Sequence, residues 1–344
     1  MRHFLWLLVL IVLLGAAAVG GWYGLGIEMD RGATMAAPVR IQVVPGEHLR
    51  SILADLQQHA ALRHPRLVEL YLRLGGHTPR VQAGTYEIAP HANARAIIEQ
   101  LAAGRVVLEQ LTVIEGWSFA QMRQALDAHP AVFHELAGRP EAALMAALGH
   151  PGQAAEGRFF PDTYRFASGT SDLRILELAY QRMQRELDQA WNSRAADLPL
   201  TGSDAALTLA SIVEKETGRE DERPKVAAVF VNRLRLGMRL QSDPTVIYGL
   251  GARYDGDIHA RDLLTDTPFN TYTRTGLPPT PIALPGAASL QAALHPAPID
   301  AVYFVATGNG DGTHHFSATL AEHDVALRAY LRKLGVAPAG TRSP

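Results

Sequence analysis

The stretch that organises this chain reads Asp204-Ala205-Ala206-Leu207-Thr208-Leu209-Ala210-Ser211-Ile212-Val213-Glu214-Lys215-Glu216-Thr217. At about 100° per residue, a helix would gather one apolar stripe from Ala205, Leu209, Ile212 and Val213. Glu216 continues this stripe, whereas Glu214 lies roughly 150° away, on the side of Leu207. The two acids are therefore predicted to have different surroundings.

Glu216 is the first candidate for chemistry. Apolar surroundings disfavour the ionised carboxylate, which raises its pKa and keeps a proton available near neutral pH. A general acid acting on a glycosidic oxygen needs this property. Two alternatives stay open, because an E-K-E run is usually a solvated helix face and because Thr217-Gly218 resembles a helix stop, where an acid serves in capping or ion pairing.

Composition limits the classes of protein that the chain can be. Its 344 residues are enough for two or three domains, and 47% hydrophobic with 19% charged residues is an ordinary globular balance. A formal net charge of −2 gives no electrostatic footprint for nucleic acid. The lack of cysteine excludes disulfides, Cys-ligated zinc, iron–sulfur clusters and thiol nucleophiles.

No cofactor and no metal site is predicted. The sequence has no H-E-x-x-H, no phosphate-binding glycine loop and no G-x-S-x-G elbow. His314-His315 and Glu322-His323 contain the residue types of a metal site. On a strand, however, consecutive histidine rings point to opposite faces, so the pair is a poor chelator.

The N-terminus is predicted to meet a membrane. Residues 4–27 are uncharged and, at about 1.5 Å per residue, are long enough to cross a hydrocarbon core of roughly 30 Å. Trp22 and Tyr23 lie where an interfacial aromatic belt would be. The alternative is a cleaved signal peptide ending near Ala16-Ala17-Ala18. With Arg2 at the short cytoplasmic end, both interpretations place the rest of the chain outside the cytoplasm.

The chain after the N-terminal segment is predicted to be α+β, with a small module and a larger domain. The predicted division of the whole chain is as follows. Residues 1–27 form the cytoplasmic tip and transmembrane anchor, 28–38 a linker, 39–105 a small α+β module, and 106–344 a larger α+β domain. The module's predicted elements are a strand at 39–44, helices at 49–56, 65–74 and 94–103, and a strand leading out of the turn at 82–84. In the larger domain the main predicted elements are a strand at 106–113, helices at 118–128, 172–195, 204–217, 224–236 and 318–334, and a buried strand at 299–307. Residues 239–286 read as one long irregular segment, which in a compact protein is commonly functional.

Two parts of that irregular segment carry sugar-binding groups. Residues 238–248 include Gln241, Asp243 and Tyr248, and the run Phe269-Asn270-Thr271-Tyr272 adds Asn270 and Tyr272. Amides, carboxylates and phenols of this kind hydrogen-bond sugar hydroxyls, and aromatic faces pack against sugar rings. The alternative is turn chemistry, because Asp-Pro and Asn in loops often bond only their own backbone.

At these residues the chain resembles the endolytic murein transglycosylase family (MltG, also called YceG-like). The resemblance covers nearly the full length and is carried by collinear motifs. They are Ala83-Gly84-Thr85-Tyr86, Glu156-Gly157-Arg158-Phe159-Phe160-Pro161-Asp162-Thr163-Tyr164, the E-K-E helix, Val231-Asn232-Arg233-Leu234, Leu240-Gln241-Ser242-Asp243-Pro244-Thr245-Val246-Ile247-Tyr248, Asn270-Thr271-Tyr272 and Gly276-Leu277-Pro278-Pro279. The module at 39–105, with Val44-Pro45-Gly46-Glu47-His48-Leu49, is similar to a LysM-like peptidoglycan-binding domain.

The resemblance implies a reaction and a location. It implies cleavage of MurNAc–GlcNAc bonds within nascent glycan strands, with 1,6-anhydro-MurNAc ends and termination of strand elongation. It places the catalytic glutamate on Glu216, followed by a partner hydroxyl at Thr217, with Glu214 secondary. The implied protein is single-pass in the inner membrane, its catalytic domain in the periplasm. Its implied partners are glycan strands, with peptidoglycan synthases as candidates.

Two other functions remain open at this point. One is a hydrolytic muramidase that uses Glu216, Asp243 and water. The other is a non-catalytic, membrane-anchored scaffold that binds peptidoglycan through residues 39–105.

Overall fold

A computed structural model describes residues 2–44, 46–76 and 78–335. The predicted turn at Pro45 and the last residues of the predicted domain 106–344 lie outside the described residues. The architecture is mixed α+β, as the sequence predicts. The chain forms two compact units. The first is Met1–Gln110, Pro130–Phe133 and Arg165–Ser171, and the second is Leu111–His129, His134–Tyr164 and Asp172–Pro344.

The first unit is built on a two-stranded antiparallel sheet covered by helices. Its elements are α1 (Arg2–Asp30), β1 (Val39–Val43), α2 (Leu49–Gln58), α3 (Pro65–Leu74), β2 (Gly84–Ile88) and α4 (Ala94–Ala102). β1 and β2 pair from Val39↔Ile88 to Val43↔Gly84. Pro65 at the first turn of α3, and Asn93, whose Oδ1 accepts from the Ala96 N–H at 2.8 Å, begin their helices as predicted.

The N-terminal helix runs further than the sequence predicts. α1 is long and apolar enough to cross a membrane by length and composition. It continues to Asp30, and the predicted linker at 28–38 contributes Met29, Ala33 and Met35 to the hydrophobic core of the first unit. Met29 lies in the last turn of α1, and Ala33 and Met35 follow the helix, so the chain enters the core of the module directly from the helix. Residues 28–38 are therefore part of the folded unit.

Short strands and one capped helix follow. β3 (Leu108–Thr112) lies within the predicted strand at 106–113, and α5 (Phe119–Asp127) begins after Ser118, whose hydroxyl accepts from the Gln121 N–H. β4 (Val132–Phe133), α6 (Glu141–Ala147), β5 (Thr163–Ala167) and β6 (Thr170–Ser171) come next. β3 pairs with β5, and β4 with β6 in parallel.

The second unit is mainly helical. Its remaining elements are α7 (Asp172–Asn192), α8 (Ser203–Glu216), α9 (Arg223–Arg235), α10 (Asp243–Leu250), a 3-10 helix (Gly251–Arg253), α11 (Ala260–Leu264), α12 (Ala287–Leu294), β7 (Tyr303–Ala306), β8 (His314–Ser317) and α13 (Leu320–Lys333). α8 is central, because α7, α9, α10 and α12 all pack against it. Residues 206–213 are buried without interruption, so Leu207 is not on a solvated face as the one-stripe pattern suggests.

Two predictions in this unit need correction, and one helix was not predicted. Residues 239–286 are not wholly irregular, because they contain α10 and α11. The predicted buried strand at 299–307 is a shorter, half-buried strand, β7, paired in an antiparallel hairpin with β8. α12 packs against α8 and α9 and was not predicted from the sequence.

Candidate active site

Glu216 is the last residue of α8, and its carboxyl group is enclosed by neighbouring protein atoms although the residue keeps some exposed surface. The Ser242 hydroxyl donates to Glu216 Oε1 at 2.5 Å. Burial raises the pKa of Glu216 to about 7; the Asp243 charge raises it further, while the Ser242 hydrogen bond and the Arg233 charge oppose the increase. This carboxyl group can hold a proton at neutral pH.

Ser242 is held in place by the two polar segments that the sequence singled out. Its backbone N–H donates to Thr271 Oγ1 at 3.0 Å, and the hydroxyls of Thr245 and Thr271 are 2.8 Å apart. The Gln241 N–H donates to the Thr271 carbonyl at 3.1 Å. Residues 241–245 and 270–272 therefore form one hydrogen-bonded platform beside Glu216.

Gln241 has an unusual backbone at this platform. Its φ of 50° lies in the left-handed region, which residues other than glycine seldom adopt. Arg233 supports this conformation by donating from Nη1 to the Leu240 carbonyl at 2.7 Å and to Gln241 Oε1 at 3.4 Å. The turn presents the Gln241 side chain at the exposed edge of the site.

Arg233 also belongs to the site, although it is not among the sugar-binding residues predicted from the sequence. It lies in α9, is 8% exposed, and donates from Nε to the Val302 carbonyl at 2.6 Å. Its guanidinium carbon is 5.4 Å from the centre of the Tyr303 ring. Burial lowers the pKa of Arg233. The available signal was the position of Arg233 two residues after the apolar run Val226–Val231 of the same helix.

Asp243 and Tyr272 form a second pair at the platform. The Tyr272 hydroxyl donates to Asp243 Oδ1 at 2.5 Å. Burial, followed by this hydrogen bond, raises the pKa of Tyr272, so the phenol stays protonated and remains a donor. Asp243 is exposed, and both Asp243 and Tyr272 interact electrostatically with Glu216. Gln241 belongs to the same platform through its bond to the Thr271 carbonyl.

Asn270 is near this group but its side chain is already occupied. It is 1% exposed, and its Nδ2 donates to the carbonyl oxygens of Asp262, Leu263 and Thr265. Its Oδ1 accepts from the Tyr272 N–H at 2.8 Å. Asn270 therefore holds the loop that carries Tyr272, which is the turn chemistry considered as the alternative to direct sugar binding.

Tyr248 is paired with another buried acid. Its hydroxyl donates to Glu156 Oε2 at 3.1 Å, and its ring packs edge-to-face against Phe269 with centroids 4.8 Å apart. Glu156 Oε1 accepts from the Phe119 N–H at 3.0 Å. Burial raises the pKa of Glu156 to about 7. The sequence contains this acid at the head of the Phe159-Phe160 loop, but the site prediction did not include it.

Glu214 and Thr217 have other neighbours. Glu214 accepts from the Gly286 N–H at 3.0 Å, and its Oε1 is 3.6 Å from Nη2 of Arg223. Thr217 is the C-cap residue that follows α8, and its hydroxyl accepts from the Arg219 N–H at 3.1 Å. Glu214 is therefore bound to the start of α12 and to α9, while the Thr217 hydroxyl bonds locally.

Acid–histidine contacts elsewhere in the described part of the second unit are accounted for locally. His314 Nδ1 is 2.8 Å from Glu222 Oε2, and the His314 N–H also donates to Glu222. Asp172, which lies near Asp127 and His134, accepts from the Leu136 N–H. These carboxylates bind backbone N–H groups, as acids at element ends commonly do.

A family model described as the YceG-like family matches residues 41–329, which is more than half of the chain and includes the whole platform around Glu216. The chain belongs to the YceG-like family.

Relatives of this YceG-like protein are named endolytic murein transglycosylases. One from Bacillus subtilis is 30% identical over 325 residues, covering 89% of this chain and 87% of the relative. One from Streptococcus pneumoniae serotype 2 is 24% identical, covering 91% of this chain but 63% of the relative. A crystal structure of a yceG-like protein from Listeria monocytogenes is 28% identical with a TM-score of 0.52, covering 84% of this chain and 98% of that one.

Proposed function

We propose that this protein is an endolytic peptidoglycan lytic transglycosylase that cleaves MurNAc–GlcNAc bonds within nascent glycan strands. The observation that carries the proposal is the enclosed carboxyl of Glu216, whose pKa is raised to about 7 beside a platform of sugar-binding groups. The relatives' names point to the same reaction class. An acid in this protonation state can protonate a leaving glycosidic oxygen at neutral pH.

One carboxyl group serves both halves of the reaction. Ser242 donates to Oε1 of Glu216, which leaves Oε2 to carry the proton. That proton goes to the glycosidic oxygen as the C1–O bond breaks, and the carboxylate then accepts the proton of the MurNAc C6 hydroxyl while O6 bonds to C1. The product is a 1,6-anhydro ring, and no second acid at glycosidase spacing is required.

The platform residues divide by their contacts into holding and supporting groups. Gln241, Asp243 and Tyr272 belong to the platform beside Glu216 and are assigned to holding the glycan. Asn270 and Tyr248 are assigned supporting roles, because Asn270 ties its loop together and Tyr248 is hydrogen-bonded to Glu156. The ion pair of Glu214 with Arg223 makes Glu214 secondary.

The module at 39–105 is proposed to bind peptidoglycan as a LysM-like domain. Its order of strand, two helices and strand, with β1 and β2 antiparallel, supports this assignment. A cavity of about 340 Å³ lies at the start of α2 and the end of α3. It is lined by His48, Leu49, Arg50, Glu69, Leu72, Arg73 and Thr78. Its polar and charged side chains can hydrogen-bond the hydroxyl groups of a glycan.

The proposed location is the inner membrane, with α1 as a single-pass anchor and the enzyme in the periplasm. The length and composition of α1 support an anchor, and a signal sequence has the same properties. There the enzyme would act on strands as they are made and terminate their elongation. Peptidoglycan synthases are the candidate partners.

Product analysis on uncrosslinked nascent glycan tests the proposal. Wild type is expected to release fragments with 1,6-anhydro-MurNAc ends, Glu216→Gln none, and Glu214→Gln a reduced amount. Reducing ends in place of anhydro ends would establish the muramidase alternative. Undiminished cleavage by a folded Glu216→Gln variant would remove Glu216 from the mechanism, and no cleavage by any variant would favour the scaffold.

A further inference from the structure

α1 enters the first unit without a flexible connection. The helix is continuous from Arg2 to Asp30, and Met29, near its end, is 2% exposed in the module's core. Asp30 Oδ1 accepts from Arg95 Nε at 2.9 Å, which ties the helix end to α4. About 20 helical residues cross the hydrocarbon core, so residues 4–23 would complete the span. The module therefore begins where the bilayer ends.

The contact of Trp22 with Tyr71 indicates how close α3 lies to the bilayer when α1 spans it. The two rings stack with centroids 4.9 Å apart, and α1 packs along α3. Trp22 lies at the end of the proposed span, at the level where aromatic residues meet lipid headgroups. Tyr71, in the middle of α3, is consequently held at the membrane surface.

α3 exposes a row of leucines next to Tyr71. Leu67, Leu70 and Leu74 are 40%, 43% and 63% exposed, and their spacing of three and seven residues places them on one helix face. Val68 and Leu72, on another face, are buried in the module. Single exposed leucines are ordinary, but three on one face beside a membrane helix form an apolar patch that needs a partner.

We propose that this leucine row (Leu67, Leu70 and Leu74) docks onto the lipid surface and fixes the module against the bilayer. Arg63 and Arg66 are exposed at the beginning of α3 and would attract anionic headgroups. The inference rests on the proposed anchor, because Trp22 sets the depth of α3 only if α1 spans the membrane. It assigns α3 as a second membrane contact that would hold the first unit at a fixed height above the bilayer.

Depth measurements on the full chain test this proposal, and the lack of native cysteine allows single labels. Leu70→Cys, Leu10→Cys in α1 and Gln42→Cys on the exposed side of β1 would each carry a nitrobenzoxadiazole group. The proteins would be reconstituted in vesicles of phosphatidylethanolamine and phosphatidylglycerol, with or without nitroxide lipids. Glycan cleavage by each variant checks that it is folded.

The proposal expects strong nitroxide quenching at Leu10, intermediate quenching and a blue-shifted emission at Leu70, and none at Gln42. Quenching at Leu10 with Leu70 resembling Gln42 would overturn lipid docking and leave the anchor intact. No quenching at Leu10 or Leu70 would overturn both the lipid docking of the leucine row and the membrane anchor. Anhydro products from the same samples would still support the transglycosylase assignment. Self-quenching at Leu70 that follows protein density, without an effect of nitroxide lipid, would instead assign the row to a second copy.

Discussion

Glu216 and Glu214 are two residues apart, yet their carboxyl groups have different partners. Glu216 meets the hydroxyl of Ser242, whereas Glu214 binds the Gly286 N–H and lies beside Arg223. Helical phase, read from the sequence, separates the two side chains. It does not identify Ser242 or Arg223 as the partners, because those contacts depend on how α8 packs against α9 and α10.

The buried acid should make folding stability depend on pH. The pKa of Glu216 is raised from 4.5 to about 7, so the folded protein binds this proton more tightly than the unfolded chain. The resulting destabilisation is absent below pH 4.5 and complete above about pH 7. Glu216→Gln removes the charge, and we expect the variant to be more stable than wild type at pH 8 by up to about 3 kcal/mol.

Urea unfolding at pH 5 and pH 8 measures this difference, and Glu214→Gln is the matched control two residues away. The gain should be small at pH 5, where Glu216 is protonated in the folded state. An equal gain at both values would show that the Glu216 pKa is not raised.

Ser242 should set the pH at which activity declines. In the proposed general-acid mechanism Glu216 must be protonated, so kcat/KM should fall about tenfold per pH unit above about pH 7. The Ser242 hydrogen bond lowers the pKa of Glu216. Ser242→Ala should therefore move the declining limb to higher pH, in addition to lowering the maximal rate. A pH–rate profile measures the shift; an unmoved or lowered midpoint would contradict the coupling.

At the scale of elements, α10 shows why part of the site could be predicted and part could not. Its start, Ser242-Asp243-Pro244, reads as a turn in sequence, but proline is also favoured in the first turn of a helix, and that is the outcome here. α12 was not predicted because its faces differ little in polarity. Its sequence is Ala-Ala-Ser-Leu-Gln-Ala-Ala-Leu. Helices buried on several sides lack the periodic signal that amphipathic helices carry.

The hydrogen bonds between the start of α10 and the loop at Thr271 should affect catalysis. Thr271 Oγ1 accepts from the Ser242 N–H and lies 2.8 Å from Thr245 Oγ1, all in buried surroundings. Thr271→Val keeps the shape but leaves the Ser242 N–H without this acceptor, which should cost about 1–3 kcal/mol. It should also lower kcat by more than it raises KM, because Ser242 orients Glu216.

Thr271→Ser is the matched control, since it keeps the hydroxyl. Chemical denaturation and initial rates on glycan would be measured on both variants. Similar kcat values for the valine and serine variants would mean that the platform does not depend on this hydrogen bond.

At the scale of the whole molecule, the sequence predicted the α+β class, the apolar first helix and most helix positions, because these depend on local periodicity. Pairs distant in the chain could not be derived in this way. Ser242 and Glu216 are 26 residues apart, and Tyr248 and Glu156 are 92 apart. Such contacts are decided by tertiary packing, which single-residue patterns do not encode.

The end of α1 should prove to be part of the first folded unit. Met29, Ala33 and Met35 belong to its hydrophobic core, and Trp22 stacks on Tyr71. A chain beginning at residue 21 keeps all of these contacts, whereas one beginning at residue 36 loses them. Removing one buried methionine side chain alone costs about 2–5 kcal/mol. In the shorter chain, the first unit should therefore unfold at a lower temperature, or its amide protons should lose their protection from exchange throughout the unit.

Hydrogen exchange measured peptide by peptide distinguishes destabilisation of the first unit from a general loss of stability. Peptides from β1, β2 and α4 should lose protection in the chain beginning at residue 36, while α8 peptides in the second unit keep theirs. The chain beginning at residue 21 is the matched control, because it also lacks most of the apolar span. Equal protection of β1 and β2 in both chains would show that residues 28–35, which fall within the linker predicted at 28–38, contribute little to folding despite their burial.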